Sequence, residues 1–216
     1  MIAVSAAEGY QLWAHTWDST PSPIVAVEER ALMPWIAALR PRRAVDVGCG
    51  TGRWTVRLGA IGIDASPAML SVAAGKPGLR GRLAVADAIA LPVATACCDV
   101  ALCALTLGHV RNRMPAMAEL ARILEPGGTL LLTDFHPAAA AQGWRRTFRR
   151  DGVVYELENY PYTLDQLRTP GLALRRSFEA TIGEPERPLF ERAGRPELFN
   201  EAARIPAVLL SLWKRV

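Results

Sequence analysis

The segment Asp46-Val47-Gly48-Cys49-Gly50-Thr51-Gly52 sets three glycines at alternate positions at the end of a short apolar run. Glycine lets a backbone turn tightly and come close to a ligand with no side chain in between. A helix opening near Arg53 would add unpaired N–H groups and a positive dipole end, favouring a carboxylate or phosphate by about 0.3–1 kcal/mol. Two more aspartates close apolar runs further on. Asp64 stands where an acid can accept from both hydroxyls of a ribose. Asp87 can accept from an adenine amino group, while the backbone at Ala88 reaches the ring. Asp46 is placed to brace the glycine turn or to hold an amino group. Any one aspartate is more commonly a cap or turn residue, but three at successive strand ends form a pattern suited to an adenosine-bearing ligand. Nicotinamide enzymes carry G-x-G-x-x-G at this point, whereas this chain reads G-x-G-x-G and then Arg53.

Two histidines are candidates for general-base chemistry. His109 lies in Leu105-Thr106-Leu107-Gly108-His109-Val110 and His136 in Asp134-Phe135-His136-Pro137, each just beyond an apolar run. A base becomes useful when the attacked nucleophile bears a proton; the competing reading of each is a structural histidine bonded to a loop. Trp144, Phe148, Tyr155 and Tyr160 could form an aromatic pocket, with plain packing as the alternative. His15 receives no role.

These residues need a scaffold that gathers strand ends. Apolar runs at 43–47, 61–64, 83–86, 99–104 and 129–134 lack polar alternation, as strands buried on both faces do. Helical stretches separate them. Ser66 and Pro67 give a cap and a first-turn proline, and 115–124 sets Met117, Leu120, Ala121 and Leu124 on one stripe before Glu125-Pro126-Gly127-Gly128 stops it. Strands alternating with helices specify an open α/β sheet, wound on both faces. Residues 1–40 read as a helical cap without strands, laid over one edge of the sheet, and 41–137 as the ligand-binding core. Residues 138–216 read as an acceptor-side region, extended at 153–162, with strand-like stretches at 172–180 and 208–214.

Four ordered blocks together resemble the type 11 class I S-adenosylmethionine (SAM)-dependent methyltransferases: Val45 to Arg53, Gly62-Ile63-Asp64-Ala65-Ser66-Pro67-Ala68-Met69-Leu70, Ala86-Asp87-Ala88, and Leu120 to Gly128. The resemblance covers roughly residues 8 to 137. It implies a Rossmann-like, doubly wound, mostly parallel seven-stranded sheet with helices on both faces, one domain over 1–216, and SAM as cofactor with S-adenosylhomocysteine (SAH) as product. It further implies that Gly48, Cys49, Gly50 and Gly52 underlie the methionine part, that Asp64 holds the ribose and Asp87, with Ala88, reads adenine, and that Ala65 and Met69 are further cofactor-binding residues. Ala104 and Leu105 would line the methyl-donor side, and Tyr10 and Trp13 would close over the cofactor. Asp64 follows Gly48 by sixteen positions, against about 20 in dinucleotide folds, so the intervening helix and strand must be short unless residues are missing from the sequence.

The bulk properties narrow the partners. The 216 residues carry a net charge of +4, concentrated in arginines at 40, 42 and 43 and at 145, 146, 149 and 150. Such clusters can bind phosphate, but +4 is modest and a solvated surface is the preferred reading. No apolar run nears the roughly 20 residues of a membrane span, no signal peptide is read, and four cysteines without paired spacing suggest reduced thiols rather than a metal site. The expectation is a cytoplasmic enzyme, monomer or homodimer, acting on a small molecule, with no metal and no nucleic-acid partner. A nucleic-acid or protein methyltransferase, or a module that binds SAM without turnover, stays open.

Overall fold

The computed structural model describes residues 1–216. The elements run β1 (Ile2–Val4), α1 (Ala6–Trp17), α2 (Pro23–Ala38), β2 (Ala44–Val47), α3 (Arg53–Leu58), β3 (Ile61–Asp64), α4 (Pro67–Ala74), β4 (Leu83–Val85) and β5 (Cys98–Ala104). They continue with α5 (Met114–Ile123), β6 (Leu124–Phe135), α6 (Pro137–Ala141), β7 (Thr147–Arg150), β8 (Val153–Leu157), β9 (Leu172–Thr181), α7 (Arg187–Arg192), α8 (Phe199–Ala202) and β10 (Pro206–Arg215).

Seven strands form one sheet in the order β4-β3-β2-β5-β6-β10-β9. All neighbours from β4 to β6 are parallel, and β10 runs antiparallel between β6 and β9. Strand order reverses between β2 and β5, where Asp46 is paired with Leu102. A ligand crevice belongs beyond the carboxyl ends of such strands. Alternate residues feed opposite faces. Ala101, Cys103, Leu130 and Leu132 join α5's Met117 and Leu120 on one side, while Leu102 and Leu131 meet Val27, Leu32 and Trp54 from α2 and α3 on the other. The doubly wound sheet is therefore as expected from the apolar runs.

The short spacing to Asp64 is accounted for by α3, which has only six residues and ends on Gly59 at φ 59°, the left-handed conformation suited to a helix stop. Three expectations need correction. Residues 1–40 contain a strand, because β1 pairs parallel with β8 and β8 antiparallel with β7 in a separate three-stranded sheet. The helix α2 lies on a face of the main sheet, packed on β6, β9 and β10, rather than over its edge. The extended stretch read at 153–162 is regular strand only to Leu157.

Candidate functional site

The glycine turn takes its shape from three left-handed residues, Gly48, Gly50 and Gly52, at φ 71°, 54° and 83°. A Cβ on Gly48 would lie 2.2 Å from Thr106 Oγ1, and one on Gly52 would lie 2.4 Å from Leu79 Cδ1. The turn is thus bare backbone for steric reasons as well as conformational ones. Asp64, closing β3, holds it in place: one carboxylate oxygen accepts from Gly50 N at 2.7 Å and the other from Ser66 N at 2.8 Å. Each oxygen keeps a further lone pair.

Above the turn lies a cavity of about 380 Å³, within the range of small-molecule sites. It gathers Tyr10, Asp46, Gly48, Cys49, Gly50, Asp64, Ala65, Met69, Asp87, Ala88, Ala104, Leu105 and His109. Strands β2, β3 and β5 deliver Asp46, Asp64 and Ala104 at their ends, and Asp87, Leu105 and His109 follow β4 or β5 in the chain. Trp13, Gly52 and His136 are not part of its wall. Trp13 is stacked on Phe148, with ring centroids 4.8 Å apart, and gives its indole N–H to Thr20. Gly52 caps α3. His136 caps α6, its Nδ1 accepting from Ala138 N at 3.1 Å, so the structure does not bring the two histidines together.

Asp46 is buried and accepts from Thr55 Oγ1 at 2.7 Å. Burial pushes its carboxyl up to about 7, against the lowering effect of Thr55 and Arg53. Burial likewise raises Asp64, opposed by its two backbone donors, and raises the Cys49 thiol. His109 is pushed down to about 3, first by burial and then by the charge of Arg146. Its Nδ1 lies 2.7 Å from the Glu158 carbonyl, which can only accept. The proton is therefore on Nδ1, and Nε2 accepts from the Tyr10 hydroxyl at 3.0 Å. A neutral Tyr10–His109 pair results, clamping α1 to the end of β5.

Not every wall residue carries a sequence signal. Arg146, inside what reads as a solvated basic cluster, has only 11% of its side chain exposed and reaches Leu105 O at 3.1 Å and Asp134 Oδ1 at 3.4 Å. Leu105 turns that carbonyl toward it with φ 54°, a strained conformation for a branched side chain. Asp134 is buried and anchored by Gly108 N at 2.5 Å and Phe135 N at 2.8 Å. From the cap, Asp18 accepts from Thr51 Oγ1 at 2.6 Å and pairs with Lys76 at 2.7 Å. A second cavity, of about 490 Å³, includes Trp144, Phe135 and Asn159 and shares Arg146, Glu158 and Tyr160 with the first. Of the four candidate aromatic residues, Trp144 and Tyr160 reach it, whereas Phe148 and Tyr155 stack on each other at 5.1 Å beside Trp13. The other arginines of the two clusters are engaged at the surface, Arg42 and Arg43 with Glu125 and Arg145 with Glu156.

Residues 45–132 match the family model described as a methyltransferase domain. The demethylmenaquinone methyltransferase of Deinococcus radiodurans is 34% identical over 121 residues, covering 51% of this chain and 50% of that protein. A ubiquinone/menaquinone biosynthesis C-methyltransferase of Acidiphilium cryptum is 31% identical over 168 residues, covering 65% and 68%. Among solved structures, an S-adenosylmethionine-dependent methyltransferase from Mesorhizobium loti superposes with a TM-score of 0.64 at 23% identity, over 88% of this chain and 100% of that one. The chain spans about half the length of the first curated relatives it matches.

Proposed function

Given that the chain belongs to the class I SAM-dependent methyltransferases, we propose that the cavity above the glycine turn takes SAM and that the protein passes the methyl group to a small-molecule acceptor. The observation that carries this reading is Asp64, whose two oxygens tie Gly50 and Ser66 together at the rim of a cavity bounded by bare glycine backbone on one side and Asp87 on the other. A residue with a Cβ at position 48 would collide with Thr106. This combination suits an amino-acid tail over the turn, a ribose at Asp64 and an adenine near Asp87.

When bound, SAM supplies an electrophilic methyl: its carbon–sulfur bond breaks, a bond to the acceptor forms, SAH departs, and any proton on the nucleophile is released. The protein's own contribution is chiefly placement, which can supply up to roughly 7–11 kcal/mol of a barrier. In this reading Gly48 and Gly50 seat the tail, Asp64 fixes the sugar, and Ala104 and Leu105 border the transfer path. His109 acts as the residue that fixes the Tyr10 hydroxyl, since its basic nitrogen is already occupied and its affinity for a proton is low. His136, capping α6, is assigned to the scaffold.

Relatives whose names specify quinone methylation place hydroquinones first among the acceptors to try. The test uses purified protein with methyl-labelled SAM and a panel of hydroquinones, phenols and carboxylic acids, followed by a total metabolite extract. Label moving into a small product is the expected result. SAH binding without label transfer to any of these would make the chain a binding module instead.

A further inference from the structure

We propose that Arg146 binds an anionic oxygen of the acceptor where the two cavities meet. The inference rests on the cavity above the glycine turn holding the cofactor. Arg146 belongs to both cavity walls, together with Glu158 and Tyr160. Its guanidinium is held through Nη1 alone, by the Leu105 carbonyl and the Asp134 carboxylate. Nε and Nη2 make no hydrogen bond within the protein, and neither is sealed in, since the buried unpartnered side-chain atoms are Arg113 Nε and Asn159 Oδ1.

A guanidinium offers five N–H donors in a rigid fork that matches two oxygens of one anion. Here one arm is fixed and the other is left without a partner in a residue that lines both cavities. The orientation is itself enforced. Leu105 adopts φ 54° in presenting its carbonyl, and Asp134 is pinned by two backbone N–H groups and lies 3.4 Å from the Tyr162 hydroxyl. None of the neighbouring acceptors bonds the open arm. The Glu158 carboxylate accepts from the Tyr160 hydroxyl, its carbonyl from His109, and Tyr10 donates to His109. Leu105 also follows Ala104, which closes β5 on the proposed transfer side, so an oxygen on Arg146 would lie beside the reacting centre. The matching ligand class is a planar acceptor bearing a carboxylate, enolate or phenolate.

The experiment compares 1-naphthoate with its neutral isostere 1-naphthamide, each titrated into SAH-loaded protein at constant ionic strength. The naphthoate is expected to bind at least about tenfold tighter, the scale of a charge-assisted hydrogen bond. Arg146→Met should abolish that preference while leaving SAH affinity within about twofold. Equal binding of the two probes, no binding of either, or a preference that survives Arg146→Met would overturn the proposal. A fall in SAH affinity with the preference unchanged would also overturn it, by assigning the arginine to the cofactor. Should Arg146→Met fail to fold, Arg146→Lys carries the test, because lysine keeps the charge but loses the fork: a preference reduced severalfold supports the assignment, and an unchanged one contradicts it. Failure of wild-type protein to bind SAH would instead count against the cofactor reading.

Discussion

Asp46 and His109 border one cavity and respond to burial in opposite directions. An unfolded imidazole takes its proton near pH 6.5, but His109 in the fold does so only near 3. Between those values the unfolded chain binds more protons, so His109 makes stability fall as pH drops through that window. Asp46 rises from about 3.9 to about 7, so there the folded chain binds more protons, and its contribution is lost as pH climbs from about 4 toward 7. Thermal unfolding followed from pH 3 to 8 should show His109→Gln flattening the acid side and Asp46→Asn, which can still accept from Thr55, flattening the neutral side. An unchanged profile in both variants would mean that the two groups titrate as in the unfolded chain. Asp64→Asn removes the charge and one of the two acceptor oxygens, so that either Gly50 N or Ser66 N loses its partner. Loss of charge-assisted bonds worth about 1.5–3 kcal/mol should weaken SAH binding roughly 10- to 150-fold in calorimetry, with circular dichroism unchanged.

At the scale of elements, α1 acts as a wall whose position depends on a stack of rings. Trp13 lies between Trp17, at 5.7 Å, and Phe148, at 4.8 Å, and Tyr10 follows at 6.1 Å. Trp13→Ala should cost about 2 kcal/mol, below the fully buried value because the ring is half-buried, and should speed SAH dissociation in stopped-flow. Trp13→Phe should restore most of both. The helix α2 is joined to the core by Glu28, fully buried, which accepts from Arg53 at 2.7 Å, Trp54 at 3.1 Å and Thr133 at 2.9 Å. Glu28→Ala strands all three donors and should cost about 3 kcal/mol in urea unfolding, the lower end for a broken buried pair, since Arg53 keeps some solvent contact. Nothing in the sequence marks Glu28, because two adjacent acids, Glu28 and Glu29, in a helix read as surface. The same applies to Arg146, hidden among three neighbouring arginines whose side chains remain at the surface.

Across the whole molecule, legibility followed how local each constraint is. The runs at 43–47, 61–64 and 129–134 announce parallel strands because burial on two faces permits no polar alternation, and the glycine turn announces itself because no other residue fits its backbone. The pairing of β1 with β8 joins residues more than 150 positions apart, and no periodicity in Ile2–Val4 could disclose it. The meeting of the two cavities is equally invisible, since it is built from segments following β5, β6 and β8 that come together only in three dimensions. His136 illustrates the same limit: its position after β6 points to the ligand side, but its ring turns back to cap α6. Everything proposed about transfer depends on the adenosine-shaped site that β2, β3 and β4 create together. Calorimetric titration of the purified chain with SAH tests this most directly. Saturable heat at one equivalent, with affinity weakened in Asp64→Asn and accompanied by a rise in unfolding temperature, is the predicted result; no heat and no thermal shift at any concentration up to the millimolar range would contradict it.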